Sequence, residues 1–165
     1  MNLELLKSPE IIQQNAIKFY RKDRVNTFGY YEELSNFQKL SNKIIDYDYD
    51  NIFYDCVENY YQAAKTTDLA IKKKMVNLSA FESKKIGKIV KLRENWDDLK
   101  FKVMWLGLKQ KFNQPNMKEI LLSTENKQLI EWCWWGDKIW GMDSKKGIGN
   151  NALGKLLMHL RNGIK

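Results

Sequence analysis

The sequence has few of the residues that build disulfides or metal centres. Its 165 residues include one histidine, His159, and two cysteines, Cys56 and Cys133, which lie far apart. Two separated cysteines form no disulfide framework, so we expect a cytoplasmic protein in a reducing environment. Their spacing with the histidine suits neither zinc nor iron, so we expect no metal and no other cofactor. A serine hydrolase would have to use His159, and no Gly-x-Ser-x-Gly elbow accompanies it.

Proline and long apolar runs are also scarce. The chain has two prolines and no glycine- and serine-rich stretch, which predicts neither a linker nor a disordered tail. Apolar runs such as 103–108 are too short to span a bilayer, and the first residues lack the pattern of a signal peptide. We therefore expect one domain over residues 1–165, with no membrane partner and a monomer as the favoured state.

Positive charge is abundant. Lysine and arginine number 28 against 20 aspartates and glutamates, which gives a net charge of +8. Such a surplus attracts polyanions, although it also keeps many proteins merely soluble. Lys84, Lys88 and Lys91 share one predicted helical face and, with 72–74, could follow a phosphate backbone. A solvated helix face explains the same pattern, so both interpretations stay open.

Local patterns predict an α+β domain that is mainly helical and has a small antiparallel sheet. Residues 1–15 form a helical extension that is interrupted at Pro9. Strands are expected at 16–20, 43–47, 52–54 and 128–133, the middle two as a hairpin around a polar turn. A polar, aromatic loop follows the first strand as far as Asn36, and a glycine-rich loop spans 136–151.

Capping signals mark the helices. Asp55-Cys-Val-Glu58 and Ser79-Ala-Phe-Glu82 have the spacing of capping boxes. Thr67 and Asn95 are candidate N-caps, and Pro115 suits a first helical turn. The predicted helices span 55–65, 68–76, 79–90, 96–112, 115–122 and 152–161. On the long helix, helical spacing predicts a core face formed by Trp96, Leu99, Val103 and Leu106.

One predicted helix carries polar groups with a chemical pattern. Glu58, Gln62 and Lys65 recur at intervals of four and three, which places a carboxylate, an amide and an ammonium on one face. A carboxylate beside a partly buried lysine can act as a base or stabilise a developing positive charge. Alternatively, Glu58 only completes the capping box of its own helix, and Lys65 is a solvated side chain.

The glycine-rich loop is a second candidate. Its glycines would let a ligand approach the backbone, and a helix begins at Ala152, where free N–H groups suit a diphosphate. No Gly-Lys-Ser/Thr follows, so this is not a Walker loop. Trp140 lies within the loop and could stack on a base. An ordinary connection, with Asn151 as the N-cap, is the alternative.

Taken in order, a series of short motifs resembles the NADAR family, also called YbiA-like, over residues 16–161. The motifs are Lys18-Phe-Tyr20, Leu34-Ser-Asn-Phe37, Val57-Glu-Asn-Tyr-Tyr-Gln-Ala-Ala-Lys65, Lys85-Ile-Gly87, Leu92-Arg93, Trp96-Asp97, Val103-Met104, Lys111-Phe112, Asp137-x-x-Trp-Gly141 and Gly149-Asn-Asn-Ala-Leu-Gly-Lys-Leu-Leu-Met-x-Leu-Arg161. The family pattern has phenylalanine where Leu34 stands, and serine and histidine where Val57 and Asn59 stand. Its glutamate and lysine are retained, so the resemblance supports a carboxylate mechanism.

The resemblance implies an enzyme that hydrolyses N-glycosidic bonds. The favoured substrate is ADP-ribose attached to guanine bases in DNA, because the positive charge suits a polyanion. Two alternatives stay open, the ribosylamino-pyrimidine phosphates of riboflavin synthesis and a non-catalytic module that binds ADP-ribose or NAD. The expected partner is accordingly ADP-ribosylated nucleic acid or a small molecule like ADP-ribose.

The resemblance also implies roles for individual residues. Glu58 would stabilise the oxocarbenium-like transition state or direct water, and Lys65 would orient Glu58 or bind a phosphate or ribose oxygen. The implied substrate-binding residues are Asn36 for the ribose or base edge, Trp140 for stacking, and Gly149, Asn150 and Asn151, whose backbone would hold the diphosphate. Further candidates are Phe37, Tyr61, Lys85, Arg93, Gly141 and Asp143.

Overall fold

A computed structural model describes residues 2–19 and 31–164 of the chain. Within these residues the helices are α1 (Leu3–Lys7), α2 (Val57–Ala63), α3 (Leu69–Val76), α4 (Ala80–Ile86), α5 (Trp96–Phe112), α6 (Pro115–Ser123) and α7 (Ala152–Gly163). The strands are β1 (Ile17–Phe19), β2 (Ile44–Ile45), β3 (Phe53–Tyr54), β4 (Leu129–Cys133) and β5 (Met142–Asp143), and a 3₁₀ turn spans Glu32–Leu34. None of the described helices is long and apolar enough to cross a membrane.

The described residues form two compact units. One comprises the chain up to Ser35 together with the chain from Asn116 onward. Its sheet has the strand order β1-β4-β5 and is parallel throughout, with Ile17 opposite Leu129 and Cys133 opposite Asp143. Helix α7 packs against β4 through its buried leucines, and α1 packs against α7. This unit therefore has its own apolar core.

The second unit, Asn36–Pro115, is built around α2. This helix packs against α3, α4, α5 and the antiparallel hairpin of β2 and β3. All seven of its residues are buried, which is unusual because three of them, Glu58, Asn59 and Gln62, are polar. Each buried polar group needs a partner to offset the loss of water.

A buried ion network joins the hairpin to α3. The Lys72 ammonium lies 3.0 Å from an oxygen of Asp46 and 2.8 Å from one of Asp48, and the side chains of Lys72 and Asp46 are fully buried. Tyr54 donates to Asp46 over 2.8 Å, and the Arg93 guanidinium binds Asp48. Burial alone would raise the pKa of Asp48, but hydrogen bonds from Arg93 and Lys72 and their charges hold it below its ordinary value.

The structure confirms the mixed, mainly helical fold with a small antiparallel sheet, which is the β2–β3 hairpin. It adds a parallel sheet that local patterns did not reveal, because β1 and β4 are separated by most of the chain. Helix α1 is shorter than the predicted extension over 1–15. Tyr20 and the loop through 30 lie outside the described residues.

The predicted caps have mixed outcomes. The capping box of Ser79 and Glu82 is confirmed, with both reciprocal hydrogen bonds present. The box predicted for Asp55 is wrong, since Cys56 is the N-cap and Asp55 pairs with lysines 39 and 43. Asp68 rather than Thr67 caps α3, because its carboxylate accepts from two backbone N–H groups of the first turn.

The core face of α5 is rotated from the prediction. Trp96 and Val103 are buried as expected, but Leu99 and Leu106 are only half-buried. Met104 and Leu108 occupy the core instead. The stripe i, i+3, i+7 fits either of two adjacent helix faces, and the packing of α2 against α5 selects one of them.

Removing the charge of Lys72 should make the folded protein less stable. Lys72→Met keeps the apolar stem but leaves Asp46 buried without a cation, so we expect the free energy of unfolding to fall by about 3 kcal/mol or more. The matched control is Lys73→Met on the exposed side of the same helix, with an expected change within about 0.5 kcal/mol. Urea denaturation measures both, and equal losses would contradict a stabilising role for the network.

Candidate active site

The polar residues of α2 fall into two groups. Asn59 is fully engaged in holding neighbouring segments, because its amide donates to the Leu78 carbonyl over 2.7 Å and to the Ser83 hydroxyl over 2.9 Å. The thiol of Cys56 donates to the side-chain oxygen Oδ1 of Asn59 over 2.6 Å. Glu58 and Gln62 face a different side of the helix and bind each other, so they form the centre of a separate polar cluster.

Glu58 is held in one orientation. Its side-chain oxygen Oε1 accepts from Nε2 of Gln62 over 2.9 Å and lies 3.9 Å from the Lys84 ammonium. The Glu58 backbone N–H donates to the Asn36 carbonyl over 2.9 Å. Its helix has no side-chain cap, so the interpretation of Glu58 as a capping-box carboxylate is wrong. Glu58 as a whole is 6% exposed.

Lys65 lies in the turn that follows the end of α2 at Ala63. Its ammonium donates to the Gly87 carbonyl over 3.1 Å and lies 5.6 Å from the centroid of the Tyr61 ring. Burial lowers the pKa of Lys65, the charge of Glu58 opposes that change, and the ammonium groups of Lys84 and Lys88 add to it. The charge of Glu58 therefore acts on Lys65, although α2 ends before Lys65 and does not carry it on the predicted helix face.

Lys84 is a site residue that the sequence did not single out for this role. The sequence motif suggested its neighbour Lys85, but Lys85 is exposed and lies over the Phe81 ring. The Lys84 ammonium instead lies beside Glu58 and 5.4 Å from the centroid of the Phe37 ring. Adjacent helix positions point about 100° apart, so only the packing of α4 against α2 selects between these lysines.

Asn36 has an unusual environment. It is 5% exposed, and its side-chain amide makes only a weak donor contact with the Met104 sulfur at 3.3 Å. Its side-chain oxygen is buried and accepts no hydrogen bond from the described residues. A buried acceptor without a donor costs roughly 1–3 kcal/mol, and such groups are often retained for a function. This oxygen is a candidate acceptor for a ligand hydroxyl or amine close to the start of α2.

Arg93 is a substrate-binding candidate in the sequence, but in the structure its side chain binds Asp48. Its guanidinium binds both oxygens of Asp48, donates to the Thr66 carbonyl over 3.2 Å and lies over the Tyr47 ring. Its side chain is only 8% exposed. The structure therefore assigns Arg93 to the ion network rather than to an open anion site.

The glycine-rich loop belongs to the first unit, and many of its backbone N–H groups donate hydrogen bonds within the loop. Four consecutive N–H groups, those of Asn150, Asn151, Ala152 and Leu153, donate to the carbonyls of residues 138, 141, 139 and 140. The segment 138–141 thus folds back over the first turn of α7. The expectation that these N–H groups are free for a diphosphate is not met.

The glycines of this loop serve close packing. A Cβ on Gly141 would lie 2.5 Å from the Glu131 carbonyl oxygen, and one on Gly149 would lie 2.3 Å from the Gly141 carbonyl oxygen. The Asn151 side chain is fully buried and binds the backbone of β4 at both Leu129 and Glu131. Asn151 is the N-cap by position, but its side chain caps nothing.

Asp143 and Trp140 also have local partners. The Asp143 carboxylate accepts from the N–H groups of Lys145 and Lys146, and these hydrogen bonds lower its pKa. Asp143 thereby closes the turn that follows β5, a strand that forms where only a loop was expected. Trp140 is half-buried and its carbonyl accepts from Leu153. Their roles in substrate binding stay predictions.

The structure thus gathers Glu58, Gln62, Lys65 and Lys84, with Asn36 and Phe37 beside them, into one cluster in the second unit. It contains one buried carboxylate of fixed orientation and two ammonium groups. A carboxylate in such surroundings stabilises a developing positive charge, and the ammonium groups attract anionic parts of a ligand. Chemistry of this kind suits a glycosidase acting on an anionic sugar.

Comparison with known proteins identifies the family behind this α+β fold and its carboxylate cluster. Residues 18–165 match the NADAR domain. The chain belongs to the NADAR family.

Two relatives and one solved structure illustrate the similarity. The N-glycosidase YbiA of Escherichia coli is 32% identical over 155 residues, which cover 92% of this chain and 89% of that protein. The NMR structure of E. coli YbiA superposes with a TM-score of 0.71 at 29% identity, covering 93% of this chain and 87% of the other. The chloroplastic riboflavin biosynthesis protein PYRR of Zea mays is 32% identical over 173 residues, and the match covers 94% of this chain but only 26% of the maize protein.

The coupling of Lys65 to its neighbours can be measured directly. We expect the Lys65 ammonium to titrate below its ordinary pKa of 10.5, because burial disfavours the charged form. Glu58→Gln should lower the midpoint further, since the charge of Glu58 raises the pKa, while Lys84→Met should raise it. NMR titration of the lysine side-chain resonances gives these midpoints. A midpoint that responds to neither substitution contradicts the cluster.

Proposed function

We propose that this NADAR N-glycosidase removes ADP-ribose from guanine bases in DNA, with Glu58 as the catalytic carboxylate. The observation that carries the proposal is the buried Glu58 side chain, which Gln62 orients and Lys84 approaches to 3.9 Å. Relatives that match most of this chain carry the name N-glycosidase. The reaction needs a group that stabilises positive charge on the sugar and directs water, and a carboxylate so placed can do both.

The reaction cleaves the bond between the ribose anomeric carbon and a base nitrogen. The bonding electrons leave with the base, which takes up a proton, and water supplies a hydroxyl to the anomeric carbon. The transition state carries positive charge on the sugar ring, which the Glu58 carboxylate stabilises while it directs the incoming water. Lys65 and Lys84 attract the phosphates that accompany an ADP-ribosyl group.

The polyanionic substrate is favoured by the distribution of the lysines. The net charge is +8, and Lys85, Lys88 and Lys91 are exposed on and just after α4, the helix that also supplies Lys84. The buried Lys72 is removed from the surface that the sequence suggested, whereas Lys88 and Lys91 of that surface are exposed. Phosphate contacts by such lysines are the usual source of affinity for nucleic acid.

A second candidate substrate is a ribosylamino-pyrimidine phosphate of riboflavin synthesis. The observation that favours it is the maize relative, whose name places it in riboflavin biosynthesis. Such a compound also has an anomeric carbon bonded to nitrogen and a phosphate, so the same cluster could act on it. A module that only binds ADP-ribose or NAD is less well supported, because binding alone does not require an oriented carboxylate.

Replacing the carboxylate should abolish turnover. Glu58→Gln preserves the size of the side chain and removes its charge, so we expect kcat to fall by about 100-fold or more with the thermal midpoint nearly unchanged. Released ADP-ribose from ADP-ribosylated guanine DNA is the measured product. Glu94→Gln, an exposed position, is the matched control and should retain full activity. Full activity of Glu58→Gln would exclude Glu58 as the catalytic group.

The salt dependence of kcat/KM distinguishes the two candidate substrates. For modified single-stranded DNA, we expect log(kcat/KM) to fall linearly with log[salt], with a slope of about −0.7 for each phosphate contact. For the riboflavin intermediate the dependence should be shallow, because few counterions are released. Parallel assays of both substrates over a salt series provide the comparison. Efficient cleavage of the small substrate with none of the DNA would replace the first proposal with the second.

A further inference from the structure

Gly87 ends α4 in a conformation that does not require glycine. Its φ of −62° and ψ of −10° lie in the ordinary right-handed helical region. An alanine adopts these angles without strain and has a higher helix propensity. The backbone conformation therefore does not explain a glycine at this position.

The side chain of Gln62, which lies next to Gly87, does explain the glycine. A Cβ at this position would lie 1.9 Å from Oε1 of Gln62, 2.8 Å from its Cδ and 3.1 Å from its Cβ. Gln62 is 4% exposed and lies on a helix whose every residue is buried, so its side chain has little space into which to move. The bare Cα of Gly87 is therefore the surface against which the Gln62 amide rests.

The other end of that amide holds the carboxylate. Nε2 of Gln62 donates to Oε1 of Glu58 over 2.9 Å, while Oε1 of Gln62 accepts no hydrogen bond from the described residues. Reversing the amide would turn its oxygen toward the carboxylate, which is repulsive, so this orientation is the favourable one. The Gly87 carbonyl also accepts from Lys65 over 3.1 Å, so Gly87 lies against Gln62 and also binds Lys65.

We infer that Gln62 and Gly87 are positioning residues for Glu58. The bare Cα of Gly87 determines the position of the Gln62 amide, and the amide determines the orientation of the Glu58 carboxylate. This inference rests on the proposed function, in which Glu58 faces the reacting sugar. Displacing a catalytic group by about 1 Å can reduce a rate by about 100-fold. A methyl group at Gly87 thus acts on the reaction through Gln62, without touching the substrate.

A double-mutant cycle tests this order of action. We expect Gly87→Ala to lower kcat by about 10-fold to 100-fold with little change in KM, and Gln62→Ala to do the same. In the Gln62→Ala background, where no amide is left to displace, Gly87→Ala should cause little further loss. The double variant also removes the contacts at 1.9 and 2.8 Å and leaves only the Cβ–Cβ contact at 3.1 Å, so we expect it to fold even if Gly87→Ala folds poorly. Gly163→Ala is the control, since a Cβ there meets no atom within 4 Å.

A second readout does not depend on turnover. In the wild type, the side-chain amide protons of Gln62 should show the NMR shift of a donor to a carboxylate, and Gly87→Ala and Glu58→Gln should each remove it. Equal losses of kcat from Gly87→Ala in both backgrounds, or an unchanged Gln62 resonance in Gly87→Ala, would overturn the inference. If Glu58→Gln retains full turnover, the proposed function fails, and the NMR result still decides whether Gly87 and Gln62 position Glu58.

Discussion

Helix α2 exposes none of its seven residues, although three of them are polar, and this constraint organises the whole second unit. A buried polar side chain without a partner costs free energy, so each one has to be matched by a neighbouring segment. Asn59 is matched by the Leu78 carbonyl, just after α3, and by the Ser83 hydroxyl in the middle of α4, and so joins these segments. The amide nitrogen of Gln62 is matched by Glu58, whereas its oxygen accepts no hydrogen bond from the described residues. The carboxylate is thus fixed as a consequence of satisfying the core.

Two clusters of charge in this unit differ in their balance. In the ion network, Lys72 and Arg93 face Asp46 and Asp48, so each buried charge has an opposite charge beside it. Around Glu58, by contrast, one carboxylate has both Lys65 and Lys84 nearby. A balanced network stabilises a fold, whereas a surplus of positive charge beside a carboxylate suits an anionic substrate. The ion network therefore stabilises the fold, while the proposed chemistry involves different residues of the same small unit.

In the first unit, the glycine- and asparagine-rich loop has a structural role in place of the expected phosphate-binding role. Glycines and asparagines over 141–151 have the composition of a phosphate-binding loop, but here the backbone N–H groups pair with nearby carbonyls. Gly141 and Gly149 let backbone segments approach where a Cβ would collide with a carbonyl oxygen. Composition alone cannot separate these uses, because both require glycine for close backbone approach.

The sequence by itself determined the class of fold, most of the helices and the shared helix face of Glu58 and Gln62, because these depend on local periodicity and caps. Its motifs also indicated the family. Only the tertiary structure decided which lysine of α4 reaches Glu58, that Asp55 and Glu58 form no capping box, and that Lys72 is buried. It also decided that β1 and β4 pair in parallel. These features arise from contacts between segments distant in the chain, whose geometry is set by packing rather than by any local pattern.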